Sequence, residues 1–314
     1  MRTVRHASEL NPGGRPVSLA VGMFDGVHLG HQQVIRQAAT DAEQAEGVAA
    51  VVTFDRHPAS VLAPQHAPPL IYPLERKLRE IEALGIEACW LIAFDEAFSR
   101  QTGEEFVRAL ARHCPGIRSI CVGSAFAFGW QRSGDVSLLR RLGAELGFAV
   151  HGLAAVALGG HTVSSTRIRE AIRSGKLDQA QQMMGREYAL CGKVVEGDRI
   201  GRTLGFPTAN LDAAALVLPP GGVYAAHAVA GPSRCRAVLN IGRRPTVRQP
   251  QPQLRVEAHL LDFDGDLYGQ QLQITFSRKL REERRFASLD ELRAQIQRDI
   301  AAARAHFSAS APRA

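Results

Sequence analysis

Val17-Ser18-Leu19-Ala20-Val21-Gly22-Met23-Phe24-Asp25-Gly26-Val27-His28-Leu29-Gly30-His31 is the stretch on which the fold of the first half turns. Residues 17–21 read as a buried strand, because an apolar run too short for a helix and closed by glycine suits a strand covered on both faces. Glycines at 22, 26 and 30 allow a tight turn and close approach of backbone to a ligand. A helical stretch follows over residues 30–46. Outward from this unit the same alternation continues, with strands at 48–54, 88–93, 117–122 and beginning at 148–150, and helices at 74–84, 103–111 and 136–146. Apolar strands alternating with helices imply an α/β doubly wound parallel sheet with both faces covered. Ligands in such sheets sit at the carboxyl ends of strands, where the turn after Val21 and the segment after Val52 fall.

Past residue 166 the character changes. Residues 166–184 are helical and polar, which suits a connecting segment. Strands then read at Val194 and at 223–229, 236–241, 256–261 and 272–276, separated by Gly, Pro and Asp turns. That run implies a small antiparallel β-barrel or sandwich. Ser288-Leu289-Asp290-Glu291 has the form of a capping box, opening a terminal helix whose stripe is Leu289, Leu292, Ile296, Ile300, Ala303 and Phe307. The expected division is 1–185 and 186–314, with a frayed tail after Phe307.

The 314 residues are long for one core and comfortable for two. With 45% hydrophobic and 22% charged residues the chain has an ordinary globular composition. Its apolar runs fall short of the ~18 residues of a membrane span, and Arg2, Arg5 and His6 open no signal-peptide core. Cys89, Cys114, Cys121, Cys191 and Cys235 show no C-x-x-C spacing and read as reduced structural thiols of a cytoplasmic protein without a zinc site. A net charge of +7 favours anionic ligands, or is only a solvated basic surface. The cluster Arg278-Lys279-Leu280-Arg281-Glu282-Glu283-Arg284-Arg285 is broken by two acids, so neither nucleic acid nor membrane is expected as a partner.

His28 and His31 stand three apart at the start of a helix and can face one point, where free amides and the positive helix end favour phosphate. Their imidazole N–H groups can stabilise charge developing on an α-phosphate. Taken alone, H-x-G-H also fits surface histidines or a two-histidine metal pair. Ser164-Ser165-Thr166-Arg167-Ile168-Arg169 reads as a second phosphate clamp, with Arg167 or Arg169 meeting leaving pyrophosphate, or as an ordinary capped helix with solvated arginines.

In the second half stands Gly201-Arg202-Thr203-Leu204-Gly205-Phe206-Pro207-Thr208-Ala209-Asn210. Gly201 and Gly205 bracket a turn, and Phe206 is pushed to an extended conformation by the proline after it. In an extended chain Thr208 and Asn210 point to one side, and their neutral oxygens suit a Mg²⁺ whose remaining ligands are phosphate oxygens and water. A plain G-F-P turn is the alternative. In the alternating run Val256 to Leu261, Glu257 and His259 share the face opposite Val256, Ala258 and Leu260. Glu257 is then either a general base for a primary hydroxyl or a solvated-face residue.

Gly22 to His31 resembles the nucleotidylyltransferase signature in the form G-x-F-D-G-x-H-x-G-H, that of bacterial bifunctional riboflavin kinase/FAD synthetases. The resemblance continues at Val52-Thr53-Phe54-Asp55-Arg56-His57-Pro58, Val122-Gly123-Ser124-Ala125-Phe126-Ala127-Phe128-Gly129, Ser164 to Arg169, L-G-F-P-T-A-N-L, Asn240-Ile241-Gly242-Arg243-Arg244-Pro245-Thr246, Asp266-Leu267-Tyr268-Gly269 and Arg281 to Phe286. It covers nearly the whole chain. It implies ATP or phosphate contacts at Gly22, Phe24, Asp25, Gly26, Gly30, Ser164, Ser165, Thr166 and Arg169, with His28 and His31 catalytic. It implies flavin contacts at Asp55, His57 and Phe126. In the second half it implies ATP and Mg²⁺ at Gly201, Gly205, Phe206, Pro207, Thr208 and Asn210, Glu257 as catalytic base, and Arg281 near the flavin; Tyr224 in Gly222-Val223-Tyr224-Ala225 fits the same pattern but reads by itself as a core tyrosine. The implied activity is phosphorylation of riboflavin to FMN by the second half and adenylylation of FMN to FAD by the first. Arg56 stands where the family usually has proline, and Ala125 where it has an acidic or amide residue. These departures keep open a kinase with weakened adenylylation. Another nucleotidylyltransferase, for pantetheine phosphate or a polyol phosphate, and a basic nucleic-acid-binding or flavin-sensing regulator are the other readings.

Overall fold

The structure is a computed structural model that describes residues 1–11, 13–197, 200–244 and 253–309. It separates into two compact units, Met1–Ile168 with Gln182–Gly185, and Arg169–Gln181 with Arg186–Ala314.

The first unit is built on a six-stranded, all-parallel sheet: β1 (Arg2–Val4), β2 (Val17–Val21), β3 (Val48–Phe54), β4 (Ala88–Ile92), β5 (Ile117–Gly123) and β6 (Ala149–Leu153), in the spatial order β1-β4-β3-β2-β5-β6. The chain leaves β2 toward β3 on one side and returns to β5 on the other, so the order reverses beside β2 and opens a crevice at its carboxyl end. Along β2 and β3 successive side chains enter different cores. Val17, Leu19, Val21, Val48, Ala50 and Val52 lie in one, and Ala20, Ala49 and Val51 in the other. Burial on both faces is why these strands read as near-continuous apolar runs.

The longer helices packed on this sheet are α1 (Leu29–Gln44), α2 (Leu74–Glu82), α3 (Gly103–His113) and α4 (Val136–Leu146). Each end has a local cause. Helix α1 stops at Gln44, two residues before the expected end, because Glu46 turns into the left-handed region at φ 50° and the Gly47 amide closes on Ala42. Thr102 and Glu105 form a capping box at the start of α3, and Gly147, at φ 86°, ends α4. Strand β1 escaped the sequence reading. It is a three-residue edge strand with one buried side chain, Val4, too short to show a period.

Helices α5 (Ser165–Arg173) and α6 (Leu177–Met184) lead toward the second fold, a closed antiparallel barrel. Its strands are β7 (Ala189–Val195), β8 (Ala209–Leu211), β9 (Gly222–Ala230), β10 (Ser233–Arg244), β11 (Gln253–Leu260) and β12 (Gln271–Arg281), in the order β7-β8-β11-β10-β9-β12 with β12 returning to β7. The chain ends in α7 (Leu289–Ala309). Ser288 Oγ accepts the Glu291 amide at 3.2 Å, while the Glu291 carboxylate reaches past the cap to the Ala287 amide at 3.0 Å. The apolar stripe of α7 is shorter than its spacing suggested. Ala303 and Phe307 are buried, but Leu289 is 62% exposed, and Gln295 and Asp299 occupy buried positions between them.

Candidate functional site

The turn after β2 is held in a conformation that side chains rarely adopt. Phe24 and Val27 have φ of 51° and 39°, joined by Gly26 at 77°. A Cβ on Gly26 would stand 2.9 Å from Ile71 Cδ1, and one on Gly22 would stand 3.0 Å from the Phe24 ring. Such backbone persists only where its surroundings fix it. Asp25, 4% exposed, supplies one brace: both carboxylate oxygens accept the Ile71 amide at 3.1 Å, and Oδ1 accepts the Tyr72 amide at 3.3 Å. The Ser165 hydroxyl donates to the Asp25 carbonyl at 3.0 Å and brings the start of α5 to the same turn.

His28 caps α1. Its Nδ1 accepts the His31 amide at 3.3 Å, which assigns the neutral ring's proton to Nε2. The rings of His28 and His31 stack at 3.6 Å and 19°, with the Phe24 ring edge-on to His31 at 5.3 Å. Gly30 makes room, since a Cβ there would approach the His28 ring to 3.3 Å. The His31 amide is thus taken by His28, and the amides of Leu29 and Gly30 stand at the helix mouth. Ser164 Oγ caps α5 by accepting the Arg167 amide at 3.3 Å, and Thr166 is exposed in its first turn. The Arg167 guanidinium donates to the carbonyls of His161 and Thr162 at 2.9 and 2.7 Å. Arg169 is buried one turn on and falls in the second compact unit.

Beside this turn lies a cavity of about 400 Å³ walled by aromatic rings, among them Phe54, Phe94, Phe98, Phe126, Phe128 and Trp130. Val21 and Met23 close it at the end of β2. Of the expected flavin contacts, Phe126 lines it and stacks on Phe128 at 5.2 Å, whereas Asp55 and His57 border it through their neighbours Phe54 and Pro58. Asp55 accepts the Phe94 amide at 3.0 Å and the Arg56 guanidinium at 3.2 Å. Burial pushes its carboxyl up, but those hydrogen bonds outweigh it and hold the group below the usual range. His57 Nδ1 accepts the Ala59 amide at 3.1 Å. Ala125 is exposed. Most of the ring cluster was not foreseen, because its members come from four segments that only the sheet brings together.

Lys77 is also missing from the sequence reading. It is 5% exposed, and its Nζ donates to the Phe54 carbonyl at 2.7 Å, Thr53 Oγ1 at 3.3 Å and the Met23 carbonyl at 3.4 Å. Burial pushes this ammonium down to about 8, against the pull of Asp25, Cys89 and Asp55. The signal was present: Lys77 shares the apolar face of α2 with Leu74, Leu78 and Ile81.

In the barrel, a cavity of about 310 Å³ brings together Thr208, Asn210, Asn240, Glu257, His259 and Arg281. Register explains the meeting. Glu257 on β11 stands opposite Asn210 on β8 and opposite Asn240 on β10, so three polar side chains form a row across three strands. The loop before β8 folds over them: the Phe206 amide donates to the Gly201 carbonyl at 2.7 Å, Gly205 turns at φ 88°, and a Cβ on Gly201 would stand 3.1 Å from Thr208 Oγ1. His259 Nδ1 donates to the Pro207 carbonyl at 2.8 Å, which anchors that loop to β11. A second cavity of about 530 Å³ is lined by Arg202, Pro207, Asp264, Asp266 and Tyr268, and Thr208 lines both.

Arg281 lines the first cavity with most of its donors already engaged. Its guanidinium forms a bidentate pair with Asp299 at 2.7–2.9 Å and donates to the Glu282 carbonyl at 2.9 Å. Tyr224 is buried, its hydroxyl donating to the Pro220 carbonyl at 2.5 Å, and burial followed by the nearby Glu282 charge pushes it up to about 12. Pro245 and Thr246 of the N-I-G-x-R-P-T segment lie outside the described residues. Two neutral oxygens beside a carboxylate in one cavity, with Thr208 also bordering the second, match what Mg²⁺ bound to a nucleotide requires of a protein, since phosphates and water complete its shell.

Comparison with known proteins assigns each half of the chain to a family. The family model for FAD synthetase matches residues 12–167, and that for riboflavin kinase matches residues 184–307. The bifunctional riboflavin kinase/FMN adenylyltransferase of Escherichia coli K12 is 38% identical over 295 residues, covering 94% of each chain. That of Pseudomonas fluorescens is 36% identical over 313 residues and the full length of both, and that of Bacillus subtilis 35% identical over 294 residues and 92% of each. Among solved structures, one titled a macrolide-efflux protein from Streptococcus pneumoniae superposes with a TM-score of 0.78 at 28% identity, over 96% of this chain and 98% of that one. Among the described residues, no helix is long and apolar enough to cross a membrane.

Proposed function

This chain belongs to the family of bifunctional riboflavin kinase/FMN adenylyltransferases, and on that premise we propose how its residues carry the two reactions. The C-terminal part transfers the γ-phosphoryl of ATP to riboflavin, giving FMN and ADP. The N-terminal part transfers AMP from a second ATP to FMN, giving FAD and pyrophosphate. The observation that carries the assignment of roles is that each part has its own cavity, with Glu257 lining one, and Met23 of the turn that leads to the His28–His31 stack lining the other.

For the kinase, Glu257 takes the proton from the 5′-hydroxyl of riboflavin seated in the 310 Å³ cavity. ATP enters from the 530 Å³ cavity, and the two substrates meet at Thr208, which borders both. Thr208 and Asn210 would hold Mg²⁺, which supplies charge neutralisation on the phosphates when bound. Gly201, Gly205, Phe206 and Pro207 shape the loop over the phosphates. Arg281 acts on the flavin side as a wall fixed by Asp299.

For adenylyl transfer, the isoalloxazine sits among the rings of the 400 Å³ cavity, Phe126 included, with Asp55 and His57 at its border. The FMN phosphate then reaches the mouth of α1. His28 Nε2–H and the His31 ring stabilise charge on the α-phosphate of ATP during in-line attack, with the Leu29 and Gly30 amides beside them. Gly22, Phe24, Asp25 and Gly26 hold the turn, and Ser164, Ser165, Thr166 and Arg169 meet the leaving pyrophosphate. The domain limits we assign are 1–185 for adenylylation and 186–314 for phosphorylation. Use of ATP and five cysteines present as thiols fit a cytoplasmic enzyme whose partners are small molecules rather than nucleic acid or membrane.

The test is incubation with riboflavin, ATP and Mg²⁺, with chromatographic separation of riboflavin, FMN and FAD over time. FMN followed by FAD is the expected course. FMN without FAD overturns the N-terminal half of the proposal and puts Ala125 and Arg56 at its centre. Neither product, with several metals and with reduced flavin, overturns both halves.

A further inference from the structure

The nucleotide turn and the aromatic cavity share a support that takes part in neither. Lys77 is buried on α2, and its three N–H donors meet three oxygens: the Met23 carbonyl in the turn, Thr53 Oγ1 in β3 and the Phe54 carbonyl at the end of β3. Thr53 Oγ1 donates in turn to the Met23 carbonyl at 3.2 Å. Met23 and Phe54 both line the aromatic cavity, and Met23 precedes the left-handed Phe24 of the turn that leads into His28. A buried ammonium is costly unless its hydrogen bonds are complete, and here they bind together the two segments that must present flavin and nucleotide to one another.

Resting on the adenylylation reading above, we propose that Lys77 is a positioning residue for FAD formation: its ammonium locks the Met23–Val27 turn to the end of β3 and so fixes His28 relative to the flavin cavity. It touches neither substrate and acts through the Met23 and Phe54 backbone. The charged form donates all three hydrogen bonds, whereas the neutral amine donates only two.

The groups that bear on its charge are Asp25 from the turn, Asp55 from the end of β3 and Cys89 from β4. Burial pushes Cys89 up to about 12, so it stays a neutral thiol over the working range. Lys77 itself is pushed down to about 8 from an ordinary 10.5. Between those values the unfolded chain binds the proton and the native one does not, so the contribution of this group to stability rises with pH across that window. Positioning predicts the opposite course for activity, which falls as the ammonium loses its third donor. A merely structural lysine would move both together.

The experiment uses the full chain and compares wild type, Lys77→Met and Lys77→Arg. FAD formation from FMN and ATP is measured from pH ~6.5 to ~9.5, spanning the titration, and FMN formation from riboflavin in the same preparations controls for nucleotide, metal and folding. For Lys77→Met the expected loss in kcat for FAD formation is roughly 10²-fold, the scale of a small misplacement of reacting groups, with phosphorylation within about twofold. The wild-type adenylylation profile is expected to fall above pH ~8 relative to phosphorylation, and Lys77→Arg, which stays charged, to retain its own relative activity to pH ~9.5. Wild-type FAD kinetics in Lys77→Met, or an alkaline limb shared by wild type and Lys77→Arg, overturns the proposal. If Lys77→Met does not fold, the comparison with Lys77→Arg decides. A wild-type chain that forms no FAD from FMN at any pH overturns the adenylylation reading instead, which keeps the two failures apart.

Discussion

At the scale of single residues, the two sites make contrasting demands on one side chain each. Glu257 owes its position to register, between Asn210 and Asn240, and is not a hinge of the fold. Glu257→Gln keeps shape and hydrogen-bonding capacity while removing the base. It is expected to lower kcat for FMN formation by about 10²–10⁴-fold and to leave FAD formation from supplied FMN unchanged, as read by chromatography of each half-reaction. His28 caps α1 through Nδ1, and we propose a second task for it, donating through Nε2. Asn at this position can cap but carries no imidazole, and Ala does neither. Both variants should lose about 10²–10³-fold in FAD formation, the scale of a missing transition-state donor. Only His28→Ala should also lose ~1 kcal/mol of stability for the missing cap. Thermal unfolding separates them, and equal melting temperatures for the two variants would refute the capping role.

At the scale of elements, the barrel unit is closed by a polar link. Arg281 at the end of β12 grips Asp299 on α7, with side chains 21% and 7% exposed, and Gln295 donates to the same carboxylate at 2.7 Å. The apolar face of α7 is divided to make room for it: Ala303 and Phe307 pack on the barrel, while Leu292 and Ile296 face the cavity. Asp299→Ala leaves a largely buried guanidinium without its partner. It is expected to cost about 3–5 kcal/mol, measured as a lower urea midpoint, and to take kinase activity with it because α7 walls the flavin cavity. An Asp299→Ala variant with an unchanged midpoint would show that the pair adds nothing. Elements also mark where sequence was readable. β2 and β3 were legible as short apolar runs closed by turn residues, and α3 and α4 because each carries a local period and local caps. β1 was not, being a three-residue edge strand whose place comes from pairing with β4. Leu289 was wrongly placed in the buried stripe because spacing names a face without saying how far along the helix that face is covered. Within the sites, Glu257, Thr208 and Asn210 were legible from alternation on one strand and extension on another. The aromatic cavity was not, because its rings come from segments remote in sequence, and Lys77 showed only as a charge on the apolar face of α2, its partners Met23 and Phe54 lying 54 and 23 positions away.

At the scale of the whole molecule, the product of one site is the substrate of the other. The apolar cores that support the sites are separate, with Ala20, Ile35 and Val51 in one unit and Val223, Val238 and Phe307 in the other. Among the described residues, none lines both the aromatic cavity and a barrel cavity. Damage to one chemistry should therefore leave the other intact, and two damaged chains should make up for each other. Glu257→Gln alone is expected to convert riboflavin to almost no FAD, and His28→Asn alone to stop at FMN. Mixed, they should produce FAD after a lag in which free FMN accumulates, made by one chain and consumed by the other. Because the exchanged FMN passes through solution, raising total protein should shorten the lag, and a flavin-binding competitor in solution should lengthen it. Failure of the mixture to make FAD, when each variant retains its own half-reaction, would mean that the chain that makes FMN does not release it to solution.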